Sequence, residues 1–186
     1  MTLPIETERL VLRRYRHDDV ADMLAFISQP SVARATVEIE ATESGIRAYI
    51  DQQNAYQPFE LDKCFDLAIE LKEEGKVVGL LSLVRREPGQ GEIGYALGVA
   101  YRGLGLATEA ARALLEYGFG SLGLHRIYAC TGRHNTGSWR LMERLGMRRE
   151  AHFRESHKVI GCWDDEFVYA ILADEWSQMA KGKEGC

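Results

Sequence analysis

The sequence is short of cysteine, of long apolar runs and of positive charge, and each shortage excludes a class of protein. Its four cysteines, Cys64, Cys130, Cys162 and Cys186, are scattered, with no CxxC pair and no Cys/His ligand spacing. That spacing suggests neither a disulfide framework nor a zinc site; no metal is expected, and reduced thiols in a cytoplasmic protein fit it best. No stretch is apolar enough to cross a bilayer, and the opening "MTLPIETERLVLRRY" lacks the apolar core of a signal peptide or anchor, so no membrane association is expected. Basic residues number 23 against 28 acidic ones, a formal charge of -5. Nucleic acid therefore has little electrostatic hold. The basic cluster "RLGMRRE" (Arg144 to Glu150) is broken by acids and reads as a solvated helix end and turn. Internal repeats, low-complexity tracts and long linkers are absent as well.

What is present suits one domain with a sizeable core: 186 residues, 46% of them hydrophobic. We expect a single domain over 1–186, with its core at about 7–176 and the polar tail "KGKEGC" frayed. "RLVLRRY" (Arg9 to Tyr15) alternates apolar and polar residues and predicts a strand. "DDVADMLAFIS" predicts a helix, with Asp18 and Asp19 as its caps and Val20, Met23, Leu24 and Ile27 at helical spacing. "TESGIRAYIDQQNAY" predicts a second helix capped by Thr42, whose face of Ile46, Tyr49 and Ile50 reads as exposed, a hint of pairing in a chain that is either a monomer or a homodimer. "CFDLAIEL" and "KVVGLLSLV" predict a hairpin through the turn Lys72 to Gly75. A further strand starts at about Glu92, after a turn centred on Pro88 and Gly89. A helix then runs from about Ala107 to Phe119, with Ala110, Ala111, Leu114, Leu115 and Phe119 on one stripe. "HRIYACT" predicts a strand, "NTGSWRLMERLG" a short helix stopped by Gly146, and "DDEFVYAIL" a last strand. The fold class is α+β: a mixed, mostly antiparallel central sheet, largely hairpin-linked, with about four flanking helices.

One turn stands out. In "VAYRGLGLATEA", Gly103 and Gly105 separate a strand from a helix start, so amides of residues 103–108 can converge on an anion, with Arg102 adding charge and Thr108 a hydroxyl. A ligand-free flexible turn is the plainer account of a lone GxG. A dinucleotide site is disfavoured, because the zone "GLHRIYAC" about twenty residues on holds no acid for the ribose and Thr108 fills the third glycine position. A P-loop fits worse still, since no Lys-Ser/Thr follows the glycines.

The run "EIGYALGVAYRGLGLATEAARALLEYGF" followed by "NTGSWRLMERLGM" resembles the GCN5-related N-acetyltransferases (GNAT), and within them the branch of ribosomal-protein N-terminal serine/alanine acetyltransferases. The likeness extends from "TERLVLRRY" to "WDDEFVYAILADEW", nearly the whole chain. It implies the three-layer α/β/α acyl-CoA N-acyltransferase fold, acetyl-CoA as acyl donor, and transfer to a primary amine. The acceptor is a protein N-terminus, a polyamine or an aminoglycoside antibiotic, and the chain's acidity favours a basic one. It further implies that Arg102, Gly103, Leu104, Gly105, Leu106, Ala107 and Thr108 bind the diphosphate. Backbone groups of Leu97, Gly98 and Val99 then serve the pantetheine arm and acetyl carbonyl, and Asn135 and Ser138 face the sulfur. Cap and first-turn residues of a short helix are the plainer account of that last pair.

Many relatives carry a tyrosine acid one turn into that helix; here the position is Met142, which donates no proton. The role passes to Ser138 as hydrogen-bond donor to the thiolate, with water as the other proton source. The missing tyrosine also leaves a non-catalytic acyl-CoA-binding or sensing module as the alternative reading. Glu92 and His157 are the candidate bases; a solvated strand end and a surface histidine in the polar loop "FRESHKVIG" are their alternatives. His17, His125, His134 and His152 show no metal spacing and read as structural or exposed. Cys130 reads as a buried sheet cysteine rather than a nucleophile paired with His134. The loops near 30–40 and 150–165 are expected to grip the acceptor, "QPSVARATVEIEATES" (Gln29 to Ser44) covering the cleft. The cluster Trp163, Asp164 and Asp165 either attracts a cationic amine or is a turn around a buried Trp.

Overall fold

The computed structural model describes residues 3–33, 36, 39–86, 89–159 and 161–184. Strands β1 (Ile5–Glu6) and β2 (Leu10–Arg13) are followed by helices α1 (Val20–Ile27), α2 (Pro30–Ala33) and α3 (Glu43–Ala55). Three long strands come next: β3 (Cys64–Leu71), β4 (Lys76–Arg85) and β5 (Gln90–Leu97). Helix α4 (Leu106–Gly120), strand β6 (Arg126–Gly132) and helix α5 (Thr136–Arg144) precede β7 (Arg148–Val159), β8 (Cys162–Leu172) and α6 (Ala173–Glu184).

The eight strands form one sheet in the order β1-β2-β3-β4-β5-β6-β8-β7. Every neighbouring pair is antiparallel except β5 and β6. That parallel ladder is short, Gln90 to Glu92 against Arg126 to Tyr128, and beyond it the two strands part. Alternation along the strands sends Phe65, Leu67, Leu81, Leu83, Ile93 and Leu97 to one face, under α4 and α5. Ala68, Leu80 and Ala96 go to the other face, under α1 and α3. The three-layer α+β fold expected of the sequence is the one observed.

Several elements differ in detail from the sequence reading. Residues 153–159 of "FRESHKVIG" are not a loop but the end of β7. This edge strand is held by its ladder to β8, so most of its side chains face solvent and it carries no apolar alternation. Helices α2 and α6 join the four expected, and α6 continues through Glu184, so the tail is helical up to that point; residues 185 and 186 lie outside the described residues. Residues 34, 35, 37 and 38 of the expected cleft cover, and Pro88 of the expected turn, also lie outside them. Ile46 and Ile50 are fully buried against the sheet rather than exposed, so they offer no pairing face. Cys130 is exposed rather than buried. Partial desolvation and the carboxylates of Glu166 and Glu92 nonetheless push its thiol up to about 11, a poor nucleophile. Trp163 is exposed, beside Lys158, and forms no turn core.

Asp19 does not cap α1 through its side chain. Its carboxylate instead receives two bonds of 2.8 Å from the buried Arg13 guanidinium and one of 2.7 Å from the Arg16 amide. Thr42 does cap α3, accepting from the Gly45 amide at 3.0 Å. Among the described residues no helix is long and apolar enough to cross a membrane.

Candidate active site

Where β5 and β6 part, a cleft of about 1050 Å³ opens, walled by the end of β5, the turn before α4, the start of α5 and the β7–β8 hairpin. Its size suits a long, extended ligand. The backbone of β5 is prepared for one. The Gly98 amide donates to Val78 O at 2.9 Å, and Gly79 pairs with Leu97. In an antiparallel ladder those bonds flank a pair that is not itself bonded. The N–H and C=O of Leu97 therefore turn away from β4, toward the opening. The Leu97 carbonyl accepts from Arg102 Nε at 3.0 Å, leaving its amide to serve a ligand. Gly98 is spent in the ladder, and the Val99 amide donates to Gln29 Oε1 at 2.8 Å. Of the three backbone donors expected here, Leu97 is the one aimed into the cleft.

Gly103 and Gly105 hold φ of +77 and +81, values that only glycine adopts at little cost. Gly105 is the N-cap of α4, and the amides of Leu106, Ala107 and Thr108 in its first turn lack intrahelical acceptors. A side chain at Gly103 would meet open space, so the glycine serves backbone conformation and access rather than packing. Free amides, a positive helix end and Arg102 together fit a diphosphate. Arg102, Gly103, Gly105, Leu106, Ala107 and Thr108 line the cleft, whereas the exposed side chain of Leu104 does not. Arg9, which the sequence reading missed, braces the turn from behind: its Nη1 donates to Leu104 O at 3.0 Å and its Nε to Glu109 at 2.7 Å. Burial raises the Glu109 carboxyl, but hydrogen bonds from Thr7 and Arg9 outweigh it and hold the group below its ordinary value.

Across the cleft, Asn135 Oδ1 caps α5 by accepting from the Ser138 amide at 3.3 Å. The Ser138 hydroxyl lies 3.0 Å from the hydroxyl of Tyr95 on β5. Met142 is buried, as its side chain demands, and Tyr95 supplies from the sheet the phenol that α5 lacks. Burial pushes the Tyr95 hydroxyl up to about 12, against the opposing pull of the Ser138 hydrogen bond and Arg144, so it keeps its proton at neutral pH. Arg140 and Arg144 also line the cleft, so the helix end read as merely solvated contributes positive charge to it.

The two candidate bases separate. Glu92 is bound to Arg86 at 3.0 Å and approached by the Tyr128 hydroxyl at 3.3 Å, away from the cleft lining. His157 lines the cleft with Asp164, its register partner on β8. A bulge brings it there. Residues 154–156 of β7 lie opposite the lone Asp165, with Glu155 at φ +48. Asp165 accepts from the Glu155 amide at 3.0 Å and from His152 at 2.6 Å. These two bonds, the Glu155 amide first, depress the Asp165 carboxyl to about 2.

A carboxyl depressed on folding stabilises above its unfolded value, about 3.9, and that stabilisation is lost as pH falls toward 2. Asp165→Asn should therefore lower the melting temperature near neutral pH, with the difference from wild type shrinking between about pH 4 and pH 2. A difference independent of pH would remove Asp165 from that role.

A second, smaller pocket of about 310 Å³ lies on the α3 side of the sheet and includes Tyr49, Asp66, Ser82 and Gly94. Tyr95 and Ala96 line both cavities, so the two meet at the end of β5. Among the described residues no cluster of three or more His, Cys, Asp or Glu is arranged to hold a metal.

Comparison with known proteins identifies the family. Residues 9–148 match the family model described as an acetyltransferase (GNAT) domain. The uncharacterized N-acetyltransferase YnaD of Bacillus subtilis is 32% identical over 174 residues, covering 93% of this chain and 99% of that protein. A solved GNAT-family acetyltransferase from Bacillus anthracis is 31% identical with a TM-score of 0.81, covering 92% of this chain and 99% of the other. The [ribosomal protein uS5]-alanine N-acetyltransferase of Escherichia coli is 32% identical over 85 residues, 46% of this chain and 44% of that protein.

Proposed function

Since the chain belongs to the GNAT acetyltransferase family and is an acetyl-CoA-dependent N-acetyltransferase, we propose that it passes the acetyl group directly to a primary amine, with both substrates bound at once. The observation that carries this reading is the meeting of the two cavities at Tyr95 and Ala96: a thioester in the large cleft faces an amine entering from the small pocket. The amine nitrogen attacks the thioester carbonyl carbon, the C–S bond breaks, the amine gives up a proton, and the thiolate gains one.

The chain's groups divide that work. The Leu97 amide donates to the acetyl oxygen, where negative charge develops. The turn from Arg102 to Thr108 holds the diphosphate, and Asn135 fixes the start of α5 so that Ser138 faces the sulfur. Ser138 donates to the departing thiolate, and the Tyr95 hydroxyl, protonated at neutral pH and 3.0 Å from that of Ser138, replaces the proton Ser138 gives up once it swings from the Ser138 carbonyl, 3.2 Å away; this pair of hydroxyls takes the place of a tyrosine at position 142. His157 is the group we assign to the amine's proton, directly or through water, in preference to the ion-paired Glu92.

The acceptor is either a small-molecule amine or a protein N-terminal α-amine, the latter suggested by the Escherichia coli relative, a [ribosomal protein uS5]-alanine N-acetyltransferase. A thiol-release assay with acetyl-CoA and a panel of amines and peptides tests the transfer itself; release no faster than with acetyl-CoA alone across the panel would refute it. Ser138→Ala should lower kcat about 10- to 100-fold, the worth of one hydrogen bond to a charged group, with little change in the acetyl-CoA KM. Turnover equal to wild type would remove Ser138 from that role.

A further inference from the structure

The small pocket carries a feature that acetyl transfer does not require. Asp66, on β3, is 5% exposed, and its carboxylate forms part of the pocket wall. Tyr49 donates its hydroxyl to one carboxylate oxygen, and the Cys64 thiol lies 3.2 Å from the other. These contacts fix the carboxylate in the pocket wall. Burial raises the Tyr49 hydroxyl far above its ordinary value, and Tyr15 and Asp66 raise it further, so it remains a donor.

Register fixes where this acid sits. Asp66 pairs with Ser82, and Ser82 with Gly94, in one row across three strands, so their side-chain positions share the α3 face. Gly94, at the β5 end of the row, has no side chain to close the passage; a Cβ there would lie 2.7 Å from Ser82 Oγ. Two strand spacings put Asp66 about 10 Å from β5, and Leu97 lies about 10 Å farther along β5 than Gly94. Asp66 is thus too remote to take the proton of the reacting amine. It is placed to meet the far end of the acceptor, beside the ring of Tyr49, whose face also favours a cation, while the ring of Tyr56 already carries Lys63 Nζ at 5.5 Å.

We infer that the small pocket selects acceptors carrying a second cationic group, on the order of 10 Å from the amine that is acetylated, and that Asp66 is the residue that reads it. This rests on the pocket being the acceptor side, as proposed above. The second charge belongs either to a free diamine or to a basic side chain near a peptide N-terminus.

Calorimetry on the CoA-saturated protein tests the inference without relying on turnover. An eight-carbon α,ω-diamine should bind at least about 10-fold more tightly than the amino alcohol of the same length, which replaces only the far ammonium. A short peptide with a basic second residue against its neutral counterpart forms the other arm; whichever arm shows the preference identifies the source of the charge. In Asp66→Asn the preference should vanish, whereas in Tyr49→Phe, which keeps the carboxylate, it should persist. Equal affinity of cationic and neutral members in both arms for the wild-type protein overturns the inference, whether or not Asp66→Asn folds. A preference that survives in folded Asp66→Asn removes Asp66 from it. Tight diamine binding without thiol release would instead refute the transfer reading and leave the binding inference standing.

Discussion

Gly105→Glu should lose acetyl-CoA binding by about 100-fold or more while the protein still folds, because it sets a carboxylate against the substrate diphosphate. The position caps α4 at φ +81, and its Cβ would stand 3.5 Å from Arg9 Nη2, with nothing closer. The new side chain has room, but its charge has only two places to go. It reaches either the amides of residues 106–108, which it then occupies as an internal anion, or Arg9, which it draws away from Leu104 and Glu109. Both outcomes oppose a diphosphate. The backbone strain of a non-glycine residue there costs about 1–2 kcal/mol. Gly105→Ala carries the same strain without the charge and should lose much less affinity. Titration calorimetry with acetyl-CoA, alongside thermal melts, separates the two effects. A folded Gly105→Glu protein with wild-type affinity would overturn the diphosphate assignment.

Arg13→Met should be the most destabilising of these substitutions, by about 3–5 kcal/mol, because it strips the cation from a buried ion network. The Arg13 guanidinium makes two 2.8 Å bonds to Asp19, one to Glu70 and one of 2.9 Å to Arg14 O, and both it and Asp19 are nearly inaccessible to water. Asp19 draws Arg13 furthest above its ordinary value and Glu70 adds to it, so the cation never titrates under working conditions. Removing it leaves two carboxylates facing one another in a poorly solvated space at the junction of β2, β3 and α1. At about 2–4 °C per kcal/mol for a domain of this size, the melting temperature should fall by roughly 6–20 °C. Arg13→Lys keeps the charge but not the bidentate fork, and should recover only part of the loss. Denaturant unfolding provides the measurement, and a loss below about 1 kcal/mol would show the network to be dispensable.

Much of the frame was legible in the sequence because the local signals agree with the global fold. Residues 64–71 alternate apolar with smaller or polar residues, residues 77–84 form a near-continuous apolar run, and the two make the β3–β4 hairpin around a glycine turn. The stripe Ala110, Ala111, Leu114 and Leu115 faces the sheet as its spacing requires. The GxG turn and the Asn135–Ser138 pair flank one cleft because each sits at a helix start, where capping chemistry shows in the residue types.

What escaped depends on register and distance rather than on composition. Strand β7 lies at the sheet edge, where hydrogen bonds to β8 suffice and apolar alternation is not needed. The bulge that turns His157 into the cleft rests on Asp165 gripping the Glu155 amide, a contact across ten residues with no local signature. Tyr95 reaches Ser138 across 43 positions, and Asp66 faces the small pocket only because two ladders place it level with Gly94. Gln29 engages the Val99 amide from 70 residues away, which no reading of "LGVAY" reveals.

The one parallel pairing among the named strands has a mechanical consequence. Three residue pairs, Gln90 to Glu92 against Arg126 to Tyr128, are the whole ladder between the antiparallel sets β1–β5 and β6–β8. The sheet is two plates joined along a short seam, and the cleft is the unstitched remainder of that seam. A substrate that bonds to Leu97 on one side and meets α5 on the other closes the gap with its own groups. Occupancy then stiffens the molecule where the chain itself supplies least, and slowed amide exchange should concentrate along the facing edges of β5 and β6 rather than at the turn that holds the phosphates.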